Sequence, residues 1–225
     1  MQPNWQHVYE HEGLGKRFIP EDDPAELGRI CVSTQLWKRI EFTSALDVGC
    51  GDGYMCHVLS SAGVQNVVGL DSAHSRLRYA KATFPDGRFL QGDVFQLPFQ
   101  DNSFDLVAAV EVLEHLERPL DALAELKRVS RRYVLLTVPF NERLQTVFCP
   151  YCLRGFHDKG HLQSFDETRM HSLVSSQSMD VLQMIHYNPT IDSYLPLRAT
   201  KPLLRVIFPE KFVRGGYLGV LCEKS

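Results

Sequence analysis

The stretch Asp47-Val48-Gly49-Cys50-Gly51-Asp52-Gly53 decides how the rest of this 225-residue chain is read. It ends a short apolar run, residues 45–49 (ALDVG), and opens a helical stripe over 53–62 in which Tyr54, Val58 and Leu59 share a face. Gly63 stops that helix. A loop with glycine at every second position, set between strand and helix, permits positive φ and lets a ligand come close to the backbone. The helix start behind it supplies unpaired N–H groups and the positive end of a dipole, which suit a carboxylate. The spacing also excludes something. A dinucleotide fold shows G-x-G-x-x-G. Here the third glycine arrives one residue early, and Asp52 puts a negative charge where a pyrophosphate would sit.

Outward from the loop, strand and helix signals alternate. Residues 66–70, 88–92, 104–110 and 133–138 read as strands, the fourth strand (104–110) apolar throughout as in a strand buried on both faces. Residues 73–84 read as a helix ending before Pro85, and Pro119 starts another that runs to Val129. This rhythm predicts βαβ crossovers, a mostly parallel α/β sheet, and a ligand at the carboxyl ends of the strands. Those ends are acidic: Asp71 closes the second strand and Asp93 the third.

These residues together carry a family resemblance. LDVGCGDG, GLDSA, GDVFQLPFQDNSFDLV and EVLEHLERP resemble the class I S-adenosylmethionine-dependent methyltransferases, in particular the small-molecule group of the ubiquinone and menaquinone pathways. The resemblance covers residues 40–140. It implies a Rossmann-like three-layer αβα sandwich whose seven-stranded, mostly parallel sheet has an antiparallel last strand. It also implies that Asp47, Gly49, Gly51 and Gly53, with Cys50 beside them, line the methionine end of the cofactor. Asp71 and Ser72 fall at its ribose, and Asp93 and Val94 at its adenine. The activity it implies is methyl transfer to a small molecule, at oxygen in the first instance, with nitrogen or carbon as alternatives.

Glu111, Glu114 and His115 follow the fourth strand. If that segment is helical, Glu111 shares a face with Glu114 or His115. Three readings stay open: Glu111 orients the methionine end; His115 is a general base; or E-x-x-E-H binds a divalent metal, with His161 added. The last resembles the site of some ubiquinone-pathway O-methyltransferases and small-RNA 2′-O-methyltransferases.

The remainder reads as one domain, 1–225, with an N-terminal lid or helix over 1–43 (helix near 25–40) and insertions at 140–164 and 189–214. A helix at 166–177 and strands at 180–187 and 216–222 complete it. In the first insertion Cys149, Cys152, His157 and His161 have the ligand types of a structural zinc site; the alternative is a substrate lid with free thiols. In the second, basic and apolar residues interleave over 198–214, a helix near 201–208 that either packs on the domain or makes weak contact with a membrane surface. A net charge of −3 and the lack of a basic–aromatic platform argue against nucleic acid. No secretory leader or apolar span is read, so the expected location is cytoplasmic.

Overall fold

The computed structural model describes residues 24–148, 150–153, 155–157, 159–188 and 216–224, so the stretch 198–214, Cys149 and most of the N-terminal segment lie outside the described residues. The chain order is α1 (Pro24–Trp37), β1 (Ser44–Val48), α2 (Tyr54–Ser61), β2 (Asn66–Asp71), α3 (His74–Thr83), β3 (Arg88–Gln91), β4 (Phe104–Val110), a 3₁₀ turn (Leu113–His115), α4 (Pro119–Val129), β5 (Ser130–Pro139), β6 (Thr146–Phe148), β7 (Gly155–His157), α5 (Glu167–Ser176), β8 (Met179–Tyr187) and β9 (Tyr217–Lys224).

Seven strands form one sheet in the order β3-β2-β1-β4-β5-β9-β8. The first five are parallel, and β9 runs antiparallel to both β5 and β8. The period-two alternation of buried strands sorts their side chains onto two faces. Leu46, Val107, Ala109, Val134 and Leu136 join α4 and α5 in one core. Ala45, Leu106, Ala108, Tyr133 and Leu135 join α1 and α2, with Leu77 of α3, in the other. That is the expected three-layer sandwich. Among the described residues no helix is long and apolar enough to cross a membrane.

α4 shows how sequence builds a layer. Proline at its first position is pre-organised for a helix. Ala122, Leu123, Leu126 and Val129 then recur at helical spacing, and all are fully buried. Its Arg128 also reaches off the helix, donating to the carbonyls of Phe99 (2.8 Å) and Leu97 (3.0 Å). This holds the loop that leads out from Asp93.

The chain order reverses between β1 and β4, so the crevice at their carboxyl ends is the switch point where α/β sheets take ligands. The opposite end is stitched by Asp105. One of its carboxylate oxygens accepts from the backbone N–H and hydroxyl of both Thr43 and Ser44, at 2.8–3.0 Å. Burial alone would push this carboxyl up, but those bonds hold it well below the usual carboxylate range. Asp105→Ala is expected to cost about 2–4 kcal/mol, lowering Tm by roughly 5–12 °C in a thermal melt at pH 7. A depressed carboxylate contributes stability above its unfolded pKa and loses it in acid, so the gap between the two proteins should close as the pH falls below about 4.

Candidate functional site

The crevice is a cavity of about 1490 Å³ lined by the residues that leave the carboxyl ends of β1 to β5. It exceeds the roughly 300–1,000 Å³ of an ordinary small-ligand site, which leaves room for two molecules side by side. Its walls carry Asp47, Asp52, Asp71, Asp93, Glu111, Glu114 and Glu142 against Arg29, Arg76, Arg143 and Lys159. Once ionised, the excess of carboxyl groups favours a cationic ligand.

At one end lies the glycine loop. Gly49, Gly51 and Gly53 have φ of 76°, 52° and 79°, in the left-handed region. The N–H groups of Gly49 and Cys50 donate to the carbonyl of Leu70 at 2.7 and 3.0 Å, tying the loop to β2. Asp71 completes the tie: its carboxylate accepts from the N–H of Gly51 and of Ala73, both at 2.8 Å. Asp47 is almost fully buried (2% exposed), and burial pushes its carboxyl up to about 7. The thiol of Cys56, held well above its usual range by its bond to Cys50 and by burial, stays protonated and points at Asp47 from 3.6 Å. Asp93 accepts from the N–H of Phe95 at 2.9 Å, with Val94 and Ser72 also on the cavity wall. The cavity thus brings together every residue that the sequence reading gave to a cofactor, apart from Gly53, which sits behind the wall as the N-cap of α2.

At the other end lies a polar cluster. Glu111 follows β4 with φ of 56°, a conformation that a non-glycine side chain adopts only when its surroundings impose it. Thr137 imposes it, accepting from the backbone N–H of Glu111 and donating its hydroxyl to Oε1, both at 3.0 Å. Burial raises this carboxyl to about 7, against the pull of Arg29. The condition under which Glu111, Glu114 and His115 would share a helical face is not met. After Glu111 the chain makes a single 3₁₀ turn, Leu113–His115, which ends where Leu116 turns extended. Glu111 turns to Thr137, and Glu114 turns inward.

Glu114 is 1% exposed, and among the described residues neither of its carboxylate oxygens has a hydrogen-bond partner. Burial and the nearby Glu111 push its pKa well up. His115 meets the carbonyl of Gly160 through Nδ1 at 3.3 Å. A carbonyl only accepts, so Nδ1 carries the hydrogen and Nε2, 3.9 Å from Glu114 Oε1, is the basic nitrogen. Burial, then the field of His161, lowers His115 to about 4, so the ring is neutral at pH 7. His161 stands edge-on to His115 at 4.7 Å. Glu114, His115 and His161 each offer a ligand atom, all within 4.8 Å of one another.

The cysteines behave otherwise. Thr146–Phe148 and Gly155–His157 pair as two antiparallel strands, β6 and β7, which the sequence reading missed. Cys149 lies outside the described residues, and Cys152 is an exposed free thiol. Among the described residues, His157 and His161 converge on Glu142, and Cys152 is not in that group. The four-ligand zinc reading, which needs Cys149, lies in part outside the described residues; of its described members, His157 and His161 lie together and Cys152 is exposed.

Sequence reasoning passed over Glu142, Arg29 and Asn141, all on the cavity wall. Asn141 shares the positive φ of Glu111, at 48°, and likewise leaves a strand end. The signal available was positional: both follow an apolar strand, Glu111 directly after β4 and Asn141 two residues past the end of β5.

A model of the methyltransferase domain matches residues 46–137. A demethylmenaquinone methyltransferase of Renibacterium salmoninarum is 34% identical over 157 residues, 64% of each chain. The chain thus spans less than two thirds of that relative's length. Among solved structures, the Haloferax volcanii complex between the Trm112 methyltransferase activator and a putative methyltransferase superposes with a TM-score of 0.67 at 18% identity, covering 96% of this chain and 94% of the other. The magnesium protoporphyrin IX methyltransferase of Synechocystis, with S-adenosylhomocysteine bound, gives 0.61 at 14% identity, covering 99% and 95%. Both likenesses are of fold.

Proposed function

Because the chain belongs to the class I S-adenosylmethionine-dependent methyltransferases, we propose that it moves a methyl group from that donor to an oxygen of a small molecule, with a divalent metal at Glu114, His115 and His161. The observation that carries the reading is the two-ended cavity. One end is a glycine cradle with acidic strand ends; the other is a cluster of ligand atoms around a buried carboxylate that no donor among the described residues satisfies. Buried carboxylates without partners are rare, and ligating a cation is one way they are accounted for.

The chain's residues fit the donor. The loop's backbone is open to a ligand at Gly51, where an added Cβ would meet, among the described residues, only the flexible end of Arg76, at 3.2 Å. Asp71 keeps acceptor capacity beyond its two backbone bonds, enough for ribose hydroxyls. Asp47 offers a carboxylate to the amino group of the methionine end. When bound, the donor supplies a methyl group on a good leaving sulfur, so what the protein adds is alignment with the acceptor.

An oxygen acceptor must lose a proton, and His115 alone is poorly suited to take it. A general base works best with a pKa near the operating pH, and burial holds His115 at about 4. A neutral imidazole is instead what metal ligation requires. A hard divalent ion at this cluster would lower the pKa of a bound hydroxyl. The metal would bind as Glu114 gives up its proton. Nitrogen and carbon acceptors need less of this help, so metal dependence separates oxygen transfer from them.

The test is a thermal shift at two pH values. S-adenosylhomocysteine should raise Tm and NADH should not; the reverse result would sink the proposal. The sign of the pH effect follows from Asp47 and Glu111, both raised to about 7. Raised carboxyl groups favour the ligand-free fold below their unfolded pKa, and that contribution fades as the pH climbs towards 7. A ligand ammonium prefers them ionised. The shift produced by S-adenosylhomocysteine should therefore be larger at pH 8 than at pH 6, with affinity gaining up to about tenfold per pH unit for each proton released. Chelation with EDTA should stop methyl transfer, and Mg²⁺ or Mn²⁺ should restore it.

A further inference from the structure

We propose that Glu142 is a positioning residue that sets the tautomer and aim of His161 at the proposed metal site; the inference rests on that metal reading. His161 is 8% exposed and sits between two carboxyl groups. Its Nδ1 meets Glu142 Oε2 in a short contact. A carboxylate only accepts, so Nδ1 carries the hydrogen and Nε2 is the nitrogen with a lone pair to give. A carboxylate behind the non-ligating nitrogen is the usual way a metal-bound histidine is oriented.

Two groupings of side chains share His161: Glu114 with His115, and Glu142 with His157. Their hydrogen bonding tells them apart. Both oxygens of Glu142 have donors, His161 on Oε2 and Lys159 Nζ on Oε1 at 3.0 Å. The Nδ1 of His157 accepts from the backbone N–H of His161 at 3.2 Å and of Lys159 at 3.4 Å. Its ring lies nearly parallel to that of His161, 18° apart at 5.0 Å. Among the described residues neither oxygen of Glu114 has a donor. The Glu142 group is therefore a satisfied brace, and the Glu114 group is the one that lacks a partner.

His115 is oriented in the same way by a different acceptor, the carbonyl of Gly160. Both imidazoles thus carry their hydrogen on Nδ1, and both acceptors belong to the segment 142–160 that follows β5. Gly160 thus supports a ligand contributed after β4, His115, and Glu142 one contributed after β7, His161.

The experiment compares wild type with Glu142→Gln and Glu142→Asp as full chains, each checked for folding by far-ultraviolet circular dichroism. Titration with Mn²⁺, followed by electron paramagnetic resonance, gives the metal affinity. Glu142→Gln keeps every proposed ligand yet should weaken Mn²⁺ binding by about 10–100-fold, and Glu142→Asp should recover part of that loss. In the metal-free proteins, imidazole ¹⁵N shifts should report a single Nδ1–H tautomer for His161 in wild type and a mixture in Glu142→Gln. If wild type binds Mn²⁺ and Glu142→Gln binds it within twofold, the role of Glu142 is overturned and the metal reading stands. If wild type binds no Mn²⁺, both fall.

Discussion

Gly51→Ala is expected to leave the fold standing and to abolish cofactor binding. The three glycines of the loop look equivalent in sequence, but their surroundings differ. A Cβ at Gly49 would lie 2.5 Å from Val112 Cγ2, and one at Gly53 would lie 2.6 Å from Phe89 Cζ and 3.1 Å from Ala80. Both substitutions collide with packed side chains, so they damage the core first. At Gly51 the only neighbour within 4 Å among the described residues is Arg76 Nη1, at 3.2 Å, a flexible tip on the cavity wall. Alanine there pays only the left-handed backbone, about 1–2 kcal/mol, while its methyl group stands where the ligand approaches the chain. It also strains the loop whose N–H at this position donates to Asp71. Loss of S-adenosylhomocysteine affinity should be on the order of 100-fold or more, about 2.7 kcal/mol, against a fall in Tm of roughly 2–8 °C. Calorimetric titration alongside a thermal melt separates the two. Wild-type affinity in Gly51→Ala would mean that the ligand does not approach the loop backbone, and the cofactor placement would be lost with it. Gly53→Ala should do the opposite, losing more stability than Gly51→Ala because Phe89 and Ala80 must move.

The frame of the molecule was legible because buried parallel strands are written in runs of apolar residues. Residues 104–110 are β4 and Pro119–Val129 is α4, as read. β5 begins three residues earlier than its apolar run because Ser130, Arg131 and Arg132 extend past the core, where Ser130 closes on the carbonyl of Tyr133. The loop and the acidic strand ends were legible for a related reason: in a parallel sheet, sequence order carries each strand end to the same edge. What followed β4 was not. The spacing of Glu111, Glu114 and His115 left the local conformation open, and the left-handed Glu111, locked by Thr137 from the next strand, sets its side chain apart from the 3₁₀ turn that follows. No local pattern announces a partner 26 residues away. The pair β6 and β7 was hidden for want of alternation, its strands being three residues each. Glu142 was invisible because its role lies in a contact with His161, 19 residues on, and a lone glutamate after a strand reads as a solvated charge.

Glu114→Leu is expected to raise the stability of the metal-free protein and to destroy its response to metal. The reasoning starts from the cost of the carboxyl group in place. Among the described residues Glu114 is buried with both oxygens unpartnered, and its pKa is pushed well up by burial and by Glu111. Leaving such a group without bonds costs about 1–3 kcal/mol. Leucine has similar bulk, no polar atoms, and leaves intact the backbone carbonyl at this position, which accepts from the N–H of Leu162 at 2.7 Å and of Gln163 at 3.2 Å. Tm after EDTA treatment should rise by roughly 3–8 °C. The stabilisation by Mn²⁺ seen in wild type should vanish, and methyl transfer should fall by more than the roughly 10–100-fold that loss of an outer partner costs. His161→Ala makes the contrast. It removes a proposed ligand, but also a buried ring stacked on His157 and bonded to Glu142, so it should lower Tm while losing the same metal response. Opposite signs on stability with one sign on metal binding are not produced by general damage to the fold. Wild-type Mn²⁺ affinity in Glu114→Leu would remove that carboxylate from the ligand set. A fall in its metal-free Tm would mean that Glu114 has a stabilising partner after all, and that the cavity's polar end is a structural network rather than a site held ready for a cation.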